Sequence, residues 1–129
     1  MKNYDHLLRS GLFINNQWVK ARSEFPVINP ATGETIFTVG DAGEEETLQA
    51  IGAASASFGE WSSTTAKSRS VILKNWFQLI MQHADELASL LTAEQGKPFV
   101  EAKGEVVYGA SFIEWNAEEC KRSYGEVIP

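Results

Sequence analysis

The chain has 129 residues, 43% of them hydrophobic, with four tryptophans and a formal net charge of −6. That is the usual size of one domain, with enough apolar content for a core but only modest stability alone. The acidic balance and the scattered Lys and Arg residues exclude a nucleic-acid partner, whose phosphates require clustered basic side chains.

A single cysteine, Cys120, forms no internal disulfide and points to a reducing compartment. The opening MKNYDHLLRSG lacks the apolar run of a signal peptide, and no stretch approaches the ~20 apolar residues of a membrane span. The expectation is a soluble, cytoplasmic protein with no membrane partner. No internal repeat or low-complexity tract interrupts the chain.

Residues 1–11 read as a loosely held arm, with Leu7 and Leu8 able to pin it. Asn15-Asn16 accepts the positive φ angles of a tight turn between strands at 12–14 and 17–20. Ser23 and Glu24 break that run. Residues 25–29 form a second extended piece, with Pro26 marking an edge strand. Asn29–Gly33 (NPATG) is a turn, and 35–39 returns to pair with 25–28. Gly40 closes the β section. Asp41 and Glu44 have the spacing of a capping box, and Glu44, Glu45 and Glu46 suit the positive end of a helix dipole. Leu48, Ile51, Ser55, Phe58 and Trp61 recur at helical spacing, predicting a helix over 43–60 that ends near Gly59.

Ser62–Thr65 is a linker with cap residues. Leu73, Trp76 or Phe77, Ile80, Ala84, Leu87 and Leu91 continue the helical period, with a break at His83, giving helices over 66–82 and 84–95. Gly96 stops the second, and Pro98 suits the first position of a long helix over 98–123, with Gly125 beyond it as C-cap. One face of this helix carries Ala102, Val106, Ala110, Ile113, Ala117 and Cys120; a neighbouring one carries Tyr108, Phe112 and Trp115. A helix apolar over so much of its circumference lies between two layers. A lone 129-residue chain leaves one face bare, and residues 126–129 look like the start of a further strand. The expected class is α+β: a mainly helical piece with small antiparallel hairpins at 12–20 and 25–39, organised as an arm (1–11) and one incomplete domain segment (12–129).

No reaction centre is visible in these residues. Gly96-Lys97 lacks the remaining positions of a phosphate loop, and no GxGxxG occurs. Gly109–Ile113 (GASFI) lacks the final glycine of a nucleophile elbow. Cys120 follows two glutamates near a helix C-terminus, where the dipole disfavours a thiolate, so it reads as structural. His6 and His83 are far apart and lack zinc-ligand spacing. Glu101/Glu105 and Glu114/Glu118 share helix faces at i,i+4 and read as solvated surface rather than acid–base pairs.

Four segments in order nevertheless resemble the beginning of an aldehyde dehydrogenase: Leu12–Val19 (LFINNQWV), Val27–Glu34 (VINPATGE), Trp61, and Ala93–Pro98 (AEQGKP). Gly104–Tyr108 (GEVVY), Ser111–Trp115 (SFIEW), Ala117–Glu119 (AEE) and the Lys121-Arg122, Tyr124-Gly125 pairs resemble the succinate-semialdehyde dehydrogenase subfamily, with Asn116 standing where that subfamily carries an aromatic. The resemblance implies membership in that α/β fold and oxidation of an aldehyde to an acid with NAD or NADP through a cysteine adduct. By the same resemblance, the catalytic cysteine, the activating glutamate and the nucleotide-binding sheet are expected in downstream sequence. The piece alone is therefore expected to be inactive and to bind no cofactor. The resemblance also implies a small-molecule aldehyde substrate, homo-oligomers, a monovalent cation held by carbonyls at Val27 and Ile28 with Glu94, and a substrate channel lined by Glu105, Tyr108 and Phe112. Glutarate semialdehyde is an alternative substrate, and a stand-alone interaction module is an alternative of another class.

Overall fold

The computed structural model describes residues 3–129. After a 3-10 turn in the arm (Asp5–Leu7) come two antiparallel hairpins: β1 (Leu12–Ile14) with β2 (Gln17–Val19), then β3 (Ser23–Ile28) with β4 (Thr35–Asp41). Four helices follow: α1 (Glu44–Ser63), α2 (Ala66–Gln82), α3 (Ala84–Gln95) and α4 (Phe99–Glu119). The expected α+β class and element order hold.

The first hairpin turns on Asn15 (φ 51°) and Asn16 (φ 59°), the left-handed pair a two-residue turn needs. The second turns on Asn29, whose Oδ1 accepts from the Ala31 N–H (2.9 Å) and whose carbonyl accepts from the Gly33 N–H (2.8 Å). Its strands are longer than the sequence suggests: Ser23 pairs with Asp41 and Glu24 with Gly40. Polar composition at Ser23 and Glu24 does not break the strand, because that end of the hairpin is solvent-exposed and needs only the ladder bonds. Gly40 extends β4 rather than ending it. A Cβ there would sit 2.8 Å from the Ala21 Cβ and 3.2 Å from the Ser10 carbonyl oxygen, which accepts from the Gly40 N–H (2.8 Å), so a side chain has no room between the arm and Ala21.

The α1 cap lies two residues later than expected. Asp41 belongs to β4, and Glu46, not Glu44, reaches back to a backbone N–H, that of Gly43 (3.0 Å). Arg22 pairs with Glu45 and approaches Glu46 at 4.0 Å, so the acidic run is consumed by cap and ion pair. α1 also runs past Gly59. The Ser62, Ser63 and Thr64 hydroxyls donate to the carbonyls of Gly59, Glu60 and Trp61 (3.0, 2.8 and 2.7 Å), satisfying groups a helix end leaves open. Thr65 Oγ1 then accepts from the Ser68 N–H (3.1 Å) and starts α2.

His83 (φ −104°, ψ 17°) separates α2 from α3 at the expected place, and Gly96 (φ 73°) caps α3. Pro98 is the N-cap of α4 rather than its first turn residue. α4 ends at Glu119, before the expected 123: after the Cys120 N–H bonds the Asn116 carbonyl, Lys121 and Arg122 bond back only three residues, tightening the turn. Gly125 has the positive φ of a cap (64°) but lies beyond the helix.

α4 packs along α2 and α3. The seam is made of small residues: Ala88, Ala102 and Ala117 are fully buried and Ala110 nearly so. Of the α2 aromatics, Phe77 is half-buried while Trp76 is exposed. Lys74–Glu118 (2.6 Å) fastens α2 to α4, and Lys103–Asp85 (2.6 Å) fastens α3 to α4. The apolar stripe of α1, with Leu48, Ile51, Phe58 and Trp61, is uncovered. No described helix is long and apolar enough to cross a membrane.

Candidate functional site

The alanine stripe presses one face of α4 onto its neighbours and fixes where the adjacent face points. On that face Tyr108, Phe112 and Trp115 are 65%, 51% and 66% exposed. The Tyr108 and Phe112 rings meet edge to face with centroids 4.8 Å apart, a favoured aromatic geometry. With Ser111, Glu114 and Trp115 they line an open apolar depression of ≈ 470 Å³. Glu105 stands on the same stripe, one turn earlier, and ion-pairs with Lys97 at the entrance to α4. It lies outside the depression, so the three expected channel residues divide into an aromatic pair and a charged neighbour. Trp115 is not among the residues expected to line the channel, though its place beside Phe112 on the stripe is legible in the helical spacing. Asn116 donates to the Phe112 carbonyl (2.8 Å), so the polar residue at that position is satisfied by its own helix.

The expected cation residues sit on neighbouring elements. Val27 pairs with Phe37 and Ile28 with Thr35, leaving Ile36 as an extra residue in the ladder. Such a bulge disrupts ladder pairing locally and re-aims backbone groups. Glu94, exposed near the end of α3, lines a cavity of ≈ 430 Å³ with Phe37 and Val39 of β4. A Cβ on Gly96 would meet the Pro30 Cγ at 3.2 Å, so the end of α3 abuts the turn that follows Ile28. Carbonyl and carboxylate oxygens are the donor type a hard monovalent cation prefers.

The remaining candidates resolve simply. The Cys120 thiol faces the Ala66 carbonyl (3.6 Å) and the Ala117 carbonyl (3.4 Å), joining the end of α4 to the start of α2. Glu118 is held by Lys74 and Lys121. Hydrogen bonds from those two ammoniums, Lys74 first, hold its carboxyl down to about 2 from the ordinary 4.5, so it is a fixed anion rather than an acid–base partner of Glu114. The fold also joins what the sequence kept apart: His6 and His83 lie with their ring centroids 5.7 Å from each other.

The chain belongs to the aldehyde dehydrogenase family, whose sequence model matches residues 18–129. Within it, the chain is 50% identical to an NADP-dependent succinate-semialdehyde dehydrogenase of Escherichia coli, over 98% of this chain and 27% of that protein. It is 51% identical to a glutarate-semialdehyde dehydrogenase of Pseudomonas putida, over 95% of this chain and 26% of that one. Among solved structures, an E. coli NADP-dependent enzyme superposes with a TM-score of 0.95 at 49% identity, covering all of this chain and 27% of that one. The succinate-semialdehyde dehydrogenase of Burkholderia pseudomallei gives 0.93 at 48%, covering 99% and 27%. The chain thus spans about a quarter of the length of these relatives.

Proposed function

We propose that this chain forms one wall of the substrate channel of an NAD(P)-dependent dehydrogenase that oxidises succinate semialdehyde to succinate. The observation that carries this reading is the bare aromatic stripe of α4, set rigidly by the alanine seam behind it, in a chain about half identical to succinate-semialdehyde dehydrogenases. A nicotinamide cofactor, NADP or NAD, would supply the hydride acceptor when bound, and this reading assigns its binding, the cysteine nucleophile and the activating glutamate to residues outside these 129. Tyr108 and Phe112 offer the short aliphatic chain of the substrate an apolar wall and exclude water from it. Glu105, neutralised by Lys97, keeps a free anion away from the path of an anionic substrate. None of the three moves a proton.

In the whole protein, Phe112→Ala is expected to raise KM or shift the preferred chain length with kcat little changed, because a uniform binding contact is lost. Unaltered KM and chain-length preference would remove the channel assignment. Glutarate semialdehyde is the second reading, favoured by the equally similar Pseudomonas relative; comparing kcat/KM for the two semialdehydes decides between them. We further propose that Val27 and Ile28 carbonyls and the Glu94 carboxylate hold a structural monovalent cation. Glu94→Ala should then abolish the difference in stability between sodium or potassium and a bulky organic cation, and a difference that persists in the variant sinks this site. The protein is proposed to be cytoplasmic and to form homo-oligomers.

A further inference from the structure

His6 sits in a single 3-10 turn of the N-terminal arm (Asp5–Leu7), and His83 is the joint between α2 and α3. Glu86 lies one turn further along α3, on the same face as His83. Its Oε2 is hydrogen-bonded to the His83 Nδ1 and lies 3.7 Å from the His6 Nε2. The three residues each offer one ligand atom, and these atoms lie within 4.8 Å of one another. We propose that His6, His83 and Glu86 form a binding site for a borderline divalent transition metal, with zinc as its simplest occupant, that clamps the arm onto the α2–α3 joint.

Three features of the arrangement carry this. The donor set is right: two imidazoles and one carboxylate suit zinc, nickel or copper(II), whereas calcium and magnesium require mostly oxygen ligands. The geometry is close: zinc bonds of about 2.0–2.1 Å place tetrahedral ligands ~3.3 Å apart, so the half-exposed His6 ring has only to close in on Glu86 from 3.7 Å, while the hydrogen-bonded His83–Glu86 pair opens and the ion takes the place of the proton between them. The framework stands without the metal: Tyr4 is buried, and the Asn3 side chain donates to the Ser89 Oγ (3.2 Å). The arm is therefore docked on α3 before any ion arrives, and binding costs little ordering. Two neutral imidazoles and one carboxylate leave the loaded site at a net single positive charge, with an open side at His6 for a water ligand.

The test is a zinc titration of the whole, untagged protein against a chromophoric chelator, with the wild type compared to His6→Gln. Other zinc-binding groups, including cysteines, are common to both proteins and cancel in the difference. The wild type is expected to take up one equivalent more than His6→Gln, and zinc to raise its Tm while leaving that of the variant unmoved. His83→Gln and Glu86→Gln probe the other two corners and should each weaken the extra equivalent by at least the 10–100-fold that loss of a mere outer partner costs. Equal uptake in wild type and His6→Gln, with both proteins folded by circular dichroism, overturns the proposal. So does loss of the extra equivalent in only one of the three variants, since a three-ligand site cannot depend on a single side chain.

Discussion

Ala110→Leu is the sharpest probe of how α4 is held. Ala110 is 1% exposed, with Ala102 and Ala117 at 0% along the same stripe. Three added carbons at that position must press into the buried α4 seam. Inserting methylenes into a closed seam costs typically 1–3 kcal/mol; on a chain of this size that is a fall in Tm of roughly 4 °C per kcal/mol. The control is Phe112→Ala, on the face that is 51% exposed. In the 129-residue chain that change removes a ring already in water, and about ±0.5 kcal/mol is expected. Both variants are measured by urea and thermal unfolding followed by circular dichroism. A seam that accepts the larger side chain without loss, or a Phe112→Ala drop as large as that of Ala110→Leu, would refute the assignment of buried and bare faces.

Two further outcomes follow from single contacts. Thr65→Ala removes the oxygen that accepts from the Ser68 N–H and should cost about 1 kcal/mol, read as a lower urea midpoint at unchanged m; no shift in midpoint would mean Thr65 is not the working cap. Glu118 has a folded pKa near 2, below its ordinary 4.5, so the stability it contributes is present above pH 4.5 and is lost as pH falls toward 2. Glu118→Gln should flatten that part of the acid-unfolding profile, modestly because the group is solvent-screened; an unchanged slope between pH 4.5 and 2 would show that Lys74 and Lys121 do not hold it in solution.

Local chemistry was legible wherever one residue type decides a backbone state. Asn15-Asn16, the Asn29–Gly33 turn, the break at His83 and the stop at Gly96 all lie where their conformational preferences put them. Boundaries set by side chains reaching back to the backbone were not legible. Nothing in composition distinguishes Glu44 from Glu46 as the residue that returns to a free N–H, and the serine hydroxyls that carry α1 past Gly59 look like linker residues until their acceptors are known. For the candidate site, the Tyr108–Phe112 stripe followed from helical spacing alone. The His6–His83–Glu86 cluster could not, because its members meet only through the docking of the arm on α3. A histidine pair judged by sequence spacing is judged before the fold has had its say.

The uncovered faces of α1 and α4 bear on function as well as stability. A Tyr, Phe or Trp side chain that gains full burial contributes on the order of 2–3 kcal/mol, and Tyr108, Phe112, Trp115, Phe58 and Trp61 are all more than two-fifths exposed. Patches of that kind mark contact surfaces or aggregation hazards. Within the E. coli relative the matching region is 27% of the chain, so most of that protein lies outside it and is available to lie on these faces. For α1, whose Leu48, Ile51, Phe58 and Trp61 form a plain apolar stripe, cover by protein is the simplest use. For α4 the proposed channel role makes the case differ: on that proposal, complete cover by protein would leave no room for substrate, whereas a partly covered Tyr108–Phe112 wall would stabilise the assembly and keep an apolar surface facing the proposed semialdehyde path. The two helices are thus separable by one comparison in the whole protein. Phe58→Ala on α1 should lower stability and leave KM alone. Phe112→Ala on α4 should move KM, and a Phe58→Ala variant that moved KM to the same extent would deny α4 its special place.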